Sequence, residues 1–279
     1  MKQVPLGTQL RKSPWGTGTD VVSSAAFNLS GRVAVVVGGT SGIGRTLALG
    51  LARAGADVVA TGRRTQEVAE VASEIEQLGQ RSLRAACDVR ARDSLEQLLE
   101  QTLGAFDKVD ILVNCAGKTK RTPTLELSEE EWGDILDTNL TGTLRCCQVF
   151  GRAMLQRGYG RIINIASLGS FVALHEVAAY CASKAAVASL TKSLAVEWGA
   201  RGVNVNAIAP GVFRTSLNQA LLDGTDRGRE FLLRTPLKRF GNIEELSAAC
   251  VFLACEASSF VNGEVLAVDG GFLASGVNQ

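Results

Sequence analysis

The chain has 279 residues, 46% of them hydrophobic and 20% charged, with a formal net charge of +1. That composition suits one large α/β domain with a sizeable core and excludes a wholly disordered chain. The near-zero charge gives no overall attraction to nucleic acid or anionic membrane, and no apolar run reaches the ~18 residues that a bilayer span needs.

Residues 1–28 read as an N-terminal extension: polar residues, Pro, Gly and Trp15, without the apolar core of a signal peptide. They are expected either to be partly disordered or to pack on a neighbouring subunit through Trp15. From Gly31 onward strand and helix signals alternate. Arg32–Gly38 carries a Val-Ala-Val-Val-Val run and is predicted to be a buried strand. A helix follows from Gly42 to about Ala54, then a strand over Asp57–Thr61 and a helix over Thr65–Leu78. Further strands are predicted over Ser82–Cys87, Val109–Asn114, Arg161–Ala166, Val203–Ala209 and Gly263–Val268. Ser128-Glu129-Glu130-Glu131 is a capping box that opens a helix, and Asn242 with Glu245 opens another. Apolar strands separated by helices predict a doubly wound parallel sheet, a Rossmann fold with helices on both faces. No linker, repeat or low-complexity run interrupts residues 29–279, so they are expected to form a single domain.

Ligands of such sheets bind at the carboxyl ends of the strands. Gly38-x-x-x-Gly42-x-Gly44 lies directly after the first strand, where glycines allow a tight turn and close approach of backbone to a pyrophosphate. The following helix N-terminus adds N–H donors and a favourable dipole. The next strand ends Ala60-Thr61-Gly62-Arg63-Arg64. An acidic residue there would bind ribose hydroxyls and repel a 2′-phosphate. Instead two arginines follow, either a phosphate clamp or a solvated helix start. The first reading favours NADP over NAD, with NAD still possible.

Tyr180 and Lys184 are four apart, on one helix face. A cation held near a tyrosine favours the phenolate, and a drop of about two to three units from ~10 would suit general acid-base catalysis. Ser167, upstream, can hold a substrate oxygen while Tyr180 moves the proton. The seven cysteines are odd in number, scattered and free of any C-x-x-C, and the one histidine is His175. That fits reduced thiols in a cytoplasmic protein and leaves little for a metal site or a Ser-His-Asp triad.

Together these residues resemble the short-chain dehydrogenase/reductase family from about Leu29 to the C-terminus. Gly38, Gly42 and Gly44 match its cofactor loop, which also includes Thr40, Ser41 and Ile43. Asp88-Val89 matches its adenine-contacting pair. Asn114-Cys115-Ala116-Gly117 matches its Asn-Asn-Ala-Gly motif, with Cys115 replacing the second asparagine. Asn139, Ser167, Tyr180 and Lys184 match its catalytic residues, and Pro210-Gly211-Val212-Phe213-Arg214-Thr215 its nicotinamide-carboxamide segment. One departure is Val37, where the family usually has a threonine whose side chain braces the loop onto the fourth strand.

The resemblance implies that Ser167 orients the carbonyl, Tyr180 donates the proton and Lys184 lowers the tyrosine pKa while binding the nicotinamide ribose. It implies that Asn139 holds a water in a proton relay. It also implies a mobile lid over about 212–240 and a homotetramer. The C-terminal half is most similar to the gluconate 5-dehydrogenase-like branch, whose members act on sugar acids and keto-sugars. Lys118, Lys120 and Arg121, just after the Asn114–Gly117 motif, are candidates for attracting an anionic substrate, unless they belong to a solvated loop. His175 either touches substrate or packs at the surface. Two alternatives stay open. One is a 3-oxoacyl-(acyl-carrier-protein) reductase, with Arg227, Arg229, Arg234, Lys238 and Arg239 facing the acidic carrier. The other is a dinucleotide-binding regulator or scaffold without turnover.

Overall fold

A computed structural model describes residues 24–215 and 219–277. Trp15 and the rest of residues 1–23 lie outside the described residues, as do residues 216–218 of the expected lid. Among the described residues there are six strands: β1 (Val33–Val37), β2 (Asp57–Thr61), β3 (Ile111–Asn114), β4 (Gly160–Ile165), β5 (Val203–Pro210) and β6 (Val265–Val268). They form one parallel sheet in the order β2-β1-β3-β4-β5-β6. The helices are α1 (Gly42–Arg53), α2 (Thr65–Gln77), α3 (Arg92–Phe106), α4 (Glu129–Leu136), α5 (Gly142–Arg157), α6 (Ala178–Trp198), α7 (Gln219–Leu222), α8 (Asp226–Arg234) and α9 (Glu245–Ala254).

The unbroken apolar run of β1 follows from helices on both faces of the sheet. Ala34 and Val36 pack into a cluster with Leu47 and Leu51 of α1 and Leu246, Cys250 and Leu253 of α9. Val33, Val35 and Val37 point the other way, into a cluster with Leu95 and Leu98 of α3 and Cys147, Phe150 and Met154 of α5. With water excluded on both sides, alternation of polar and apolar residues has no place in the strand. Helices α1 and α9 approach closely because Gly50 has no side chain: a Cβ there would lie 2.7 Å from that of Ser247.

Strand register decides where the chemistry sits. Val37 is level with Asn114, Asn114 with Asn164, and Asn164 with Ala207. The carboxyl ends therefore form one edge. The chain winds from β1 to β2 on one side and returns to β3 on the other, which opens a crevice above β1 and β3.

The expected strand over Ser82–Cys87 is not formed. The segment runs beside β2, held by Val58 N–H to the Arg81 carbonyl (3.0 Å) and Cys87 N–H to that of Gly62 (2.9 Å). Between these two ends, hydroxyls take carbonyls that a ladder would use: Ser82 Oγ donates to Val58 O (2.7 Å) and Thr61 Oγ1 to Ala85 O (2.6 Å). Both capping signals are found in part. Ser128 Oγ accepts from Glu131 N–H (3.1 Å), but the Glu131 carboxylate turns to Lys120 and Thr122 instead of back to the cap. At α9 the reciprocal half is made, with Asn242 N–H donating to Glu245 Oε2 (2.8 Å).

Candidate active site

The glycine loop is folded tightly against the ends of β2 and β3. Gly38 and Gly39 N–H groups both donate to the Thr61 carbonyl, at 2.9 Å each. Gly38 has φ +80°, and a Cβ there would sit 2.5 Å from Ala116 N, so no other residue fits. Gly42 has φ +49° and faces open space. Ser41 precedes α1 without a side-chain cap bond, and the first turn carries no acidic residue. An uncapped N-terminus behind a glycine cradle suits a pyrophosphate. Thr40 packs beside Gly62, and Ile43 is half-buried.

The family's threonine brace is replaced here by backbone. Val37 lies in the apolar cluster, while Cys115 N–H donates to the Val37 carbonyl at 2.8 Å. Asn114 Nδ2 donates to Asn164 Oδ1 (2.8 Å), and the buried Asn114 Oδ1 has no partner among the described residues. Downstream, Gly211 N–H donates to the Val268 carbonyl (2.9 Å), and a Cβ at Gly211 would meet the Asp269 backbone at 2.6 Å. This second close approach lies where the chain leaves Pro210, the last residue of β5, and carries Val212 past the edge of the sheet.

Ser167 follows β4 directly; its Oγ accepts from Gly169 N–H (3.1 Å). Tyr180 and Lys184 lie one turn apart on α6. Lys184 is buried, and its Nζ donates to the Ile165 carbonyl (2.6 Å), 5.8 Å from the Tyr180 ring centroid. Asn139 is fully buried in a π-helical turn, Asp137–Thr141, between α4 and α5. Such turns are frequent at functional sites because they re-aim one residue. Asn139 Oδ1 accepts from Lys118 N–H (2.8 Å), and its Nδ2 donates to Lys118 O (2.9 Å) and Ser183 Oγ (3.0 Å). Ser183 Oγ in turn donates to the Tyr180 carbonyl (2.7 Å). Asn139 is thus a clamp between the loop after β3 and helix α6, a role that its sequence position did not announce.

The electrostatics differ from expectation. Burial pushes the Tyr180 hydroxyl above its ordinary value, against the opposing effect of its hydrogen bond with Ser167. The same burial pushes the Lys184 ammonium down to about 8, with the Cys115 thiol opposing. The expected depression of the tyrosine by the lysine does not prevail in the protein alone, because the site that brings the two together also strips water from both.

The loop after β3 also differs. Lys118 pairs with Asp134, Lys120 with Glu131 (2.5 Å) and Arg121 with Glu176 (2.5 Å). Each of the three cations that were candidates for attracting an anionic substrate is therefore paired with a carboxylate. Glu176, which sequence reasoning missed, has φ +62°, a conformation no local signal announces. Its carbonyl accepts Thr122 N–H (2.8 Å). The His175 side chain is 75% exposed, and its carbonyl accepts from Arg227 of α8 (3.5 Å). Phe213 bridges to Gly241 at the base of the segment bearing α7 and α8. The basic residues expected to meet an acidic carrier are mostly engaged: Arg229 with Asp226, Arg234 with Glu230 and Arg239 with Glu245.

At the far end of the crevice, Arg63 is exposed with no ion-pair partner among the described residues, and Arg64 pairs with Glu67 (2.6 Å). Asp88 pairs with Arg90 (3.2 Å), and Val89 is buried beside Gly142. Burial would raise the Asp88 carboxyl, but hydrogen bonds from Arg90 and the charges of Arg90 and Arg63 outweigh it and hold it below its ordinary value.

A family described as enoyl-(acyl carrier protein) reductase matches residues 37–273. The gluconate 5-dehydrogenase of Gluconobacter oxydans is 41% identical over 249 residues, covering 89% of this chain and 97% of that protein. A 2-dehydro-3-deoxy-D-gluconate 5-dehydrogenase of Bacillus subtilis is 43% identical over 252 residues, covering 89% and 97%. Among solved structures, a gluconate 5-dehydrogenase from Burkholderia cenocepacia in complex with NADP and tartrate superposes with a TM-score of 0.87 at 38% identity, covering 91% of this chain and 99% of that one.

Lys184 provides a pH test. Its ammonium titrates at about 8 in the folded protein against an ordinary 10.5. Between those values the unfolded chain holds the additional proton, so this group's contribution to stability rises with pH, and its penalty is complete below about 8. Whatever the lost bond to the Ile165 carbonyl costs, the gain in cofactor-free Tm of Lys184→Met over wild type is expected to fall by roughly 2–6 °C between pH 7 and pH ~10.5. Melts followed by circular dichroism should show the gain fading toward pH ~10.5. A gain independent of pH would show that the buried ammonium carries no penalty.

Proposed function

Because the chain belongs to the short-chain dehydrogenase/reductase family, we propose that it is an NADP(H)-dependent oxidoreductase interconverting a secondary alcohol and a ketone on a sugar acid or keto-sugar. The observation that carries this reading is the meeting of Ser167, Tyr180 and Lys184 at the carboxyl edge, beside a glycine cradle that a single Cβ would fill.

The residues fit a dinucleotide. Gly38, Thr40, Ser41, Gly42, Ile43 and Gly44 would hold the pyrophosphate. Arg63 and Arg64 would hold the 2′-phosphate, and Asp88 and Val89 the adenine. Asn114, Ala116, Gly117 and Lys184 would line the riboses, and Pro210, Gly211, Val212 and Thr215 the nicotinamide carboxamide. The bound cofactor supplies or accepts the hydride. The chain's own residues place the substrate and move the proton. Ser167 holds the substrate oxygen near Tyr180. A hydroxyl raised by burial is protonated at neutral pH, so Tyr180 is set to donate during carbonyl reduction. In the oxidative direction the proton must leave through Tyr180, helped by the charge on Lys184. Asn139 keeps the loop bearing Lys118 and the helix bearing Tyr180 at fixed spacing.

The sugar-acid assignment draws on the relatives' activities and on the cations at the rim. A substrate carboxylate would reach Lys120 or Arg121 by competing with Glu131 or Glu176. Residues 212–240 would act as a lid, with Arg227 joining it to the rim at His175. The ion pairs on α8 and around Arg239 weaken the carrier-protein alternative. Among the described residues no helix is long and apolar enough to cross a membrane. The seven cysteines are all free, which supports a reducing cytoplasmic setting, and exposed Val196 and Phe260 support a homo-oligomer, which we take to be a tetramer.

Purified protein assayed with NADPH and NADH against keto-sugar acids, neutral keto-sugars, 3-oxoacyl thioesters and cyclic ketones should turn over keto-sugar acids best. No turnover across that panel would favour a dinucleotide-binding scaffold. Tyr180→Phe should lose most turnover, with cofactor affinity changed less than about twofold, since only the proton donor is removed. Arg63→Ala should weaken NADPH binding roughly tenfold to a hundredfold and leave NADH nearly unchanged, as befits a charge-assisted contact of about 1.5–3 kcal/mol. A wild type that prefers NADH would overturn the cofactor assignment.

A further inference from the structure

Two cations, Arg90 and Lys118, share one carboxylate at the adenosine end of the crevice, and the charge of a third, Arg63, acts on both Asp88 and Lys118. Arg63 follows β2. The bond from Cys87 N–H to the Gly62 carbonyl (2.9 Å) sets Arg63 beside Asp88. Arg90 pairs with Asp88 (3.2 Å) and reaches Asp134 of α4 (3.6 Å). Lys118, after β3, pairs with the other oxygen of the same Asp134. Its backbone is fixed by Asn139 at both N–H and C=O. Asp137, the next carboxylate along, is taken by Arg145 (2.8 Å). The group therefore holds three cations against Asp88 and Asp134, one positive charge in excess.

We propose that Lys118 and Arg90 serve the cofactor's 2′-phosphate rather than the substrate, and that Asp134 sets how strongly the site prefers the phosphorylated cofactor. The proposal rests on the NADP(H) reading above. Like charges gathered at one place repel, and only an anion relieves the repulsion. The strain is visible at Lys118, whose ammonium is held below its ordinary value by partial desolvation and then by the charges of Arg90 and Arg63. Asp134 supplies part of the missing negative charge. It keeps both cations at the mouth of the crevice when no cofactor is bound. It also opposes a dianionic phosphate, which must share those cations with it. The 2′-phosphate is the one group that separates NADP from NAD, so a carboxylate beside it changes the preference between the two. Lys118 was a candidate for substrate by its place in the sequence; its ammonium instead shares Asp134 with Arg90.

The test uses 2′,5′-ADP and 5′-AMP as probes, which report on the phosphate site without the nicotinamide. Dissociation constants are measured by calorimetry at two salt concentrations. Asp134→Asn should tighten 2′,5′-ADP about threefold to tenfold, as expected for removal of one like charge at partly solvated range. It should leave 5′-AMP within about twofold. Lys118→Gln and Arg90→Gln should each weaken 2′,5′-ADP by a similar factor, with smaller effects in higher salt. Thermal melts establish that each variant is folded, and Lys118→Ala serves as a second variant. If Arg63→Ala weakens 2′,5′-ADP while the Asp134 and Lys118 variants stay within about twofold of wild type, Arg63 acts alone and the proposal is overturned, with the NADP(H) reading intact. Loss at Lys118 confined to the Michaelis constant for a keto-sugar acid would return that residue to the substrate. A wild type that binds 2′,5′-ADP no better than 5′-AMP would remove the NADP(H) reading and the proposal with it.

Discussion

A buried ammonium holds the site in place. Lys184 Nζ donates to the Ile165 carbonyl at the last position of β4, two residues before Ser167. The same side chain rises from α6 one turn after Tyr180, and lies where a Cβ on Gly117 would be 3.6 Å away. One group therefore spans the end of a central strand, the helix bearing the proton donor and the loop that would face the cofactor. Burying it is costly, as its fall to about 8 records. Under the proposed function, that charge would serve beside Tyr180 and the nicotinamide ribose.

Around this centre, irregular backbone does the positioning. The π-helical turn at Asp137–Thr141 directs Asn139 inward, where its carboxamide uses both ends on Lys118 and reaches Ser183. A regular helix through the same residues would aim position 139 elsewhere. The glycine loop works by the opposite means. Close packing of Gly38 on Ala116 and of Gly44 on the Gly38 carbonyl removes room for side chains, leaving backbone N–H groups and the α1 N-terminus to meet a ligand. Gly42 has open space where a side chain would stand.

Charge on the rim at Lys120 and Arg121 is arranged in pairs rather than as a field. Lys120 with Glu131 and Arg121 with Glu176 tie the rim together across distant parts of the chain. Exposed pairs of this kind add little to stability, typically less than about 1 kcal/mol. Their effect is to fix geometry and to make an incoming anion compete for its partner.

The sequence by itself determined what depends on short spacing. The Val-Ala-Val-Val-Val run, the glycines at 38, 42 and 44, the Ser128 cap and the shared helix face of Tyr180 and Lys184 are all fixed by residues within one or two turns of each other. Their physical causes, periodicity, steric freedom and local hydrogen bonding, act at that range. The tertiary structure decided the rest. Ser82–Cys87 lost its ladder to hydroxyls of Thr61 and Ser82, whose reach depends on how the segment settles against β2. Arg121 found Glu176 fifty-five positions away, and Lys118, Arg90 and Arg63 converged from three loops. The raised Tyr180 and lowered Lys184 follow from loss of water, which no spacing encodes. Charge pairing and desolvation depend on distances through space, and only the packed sheet and helices set those distances.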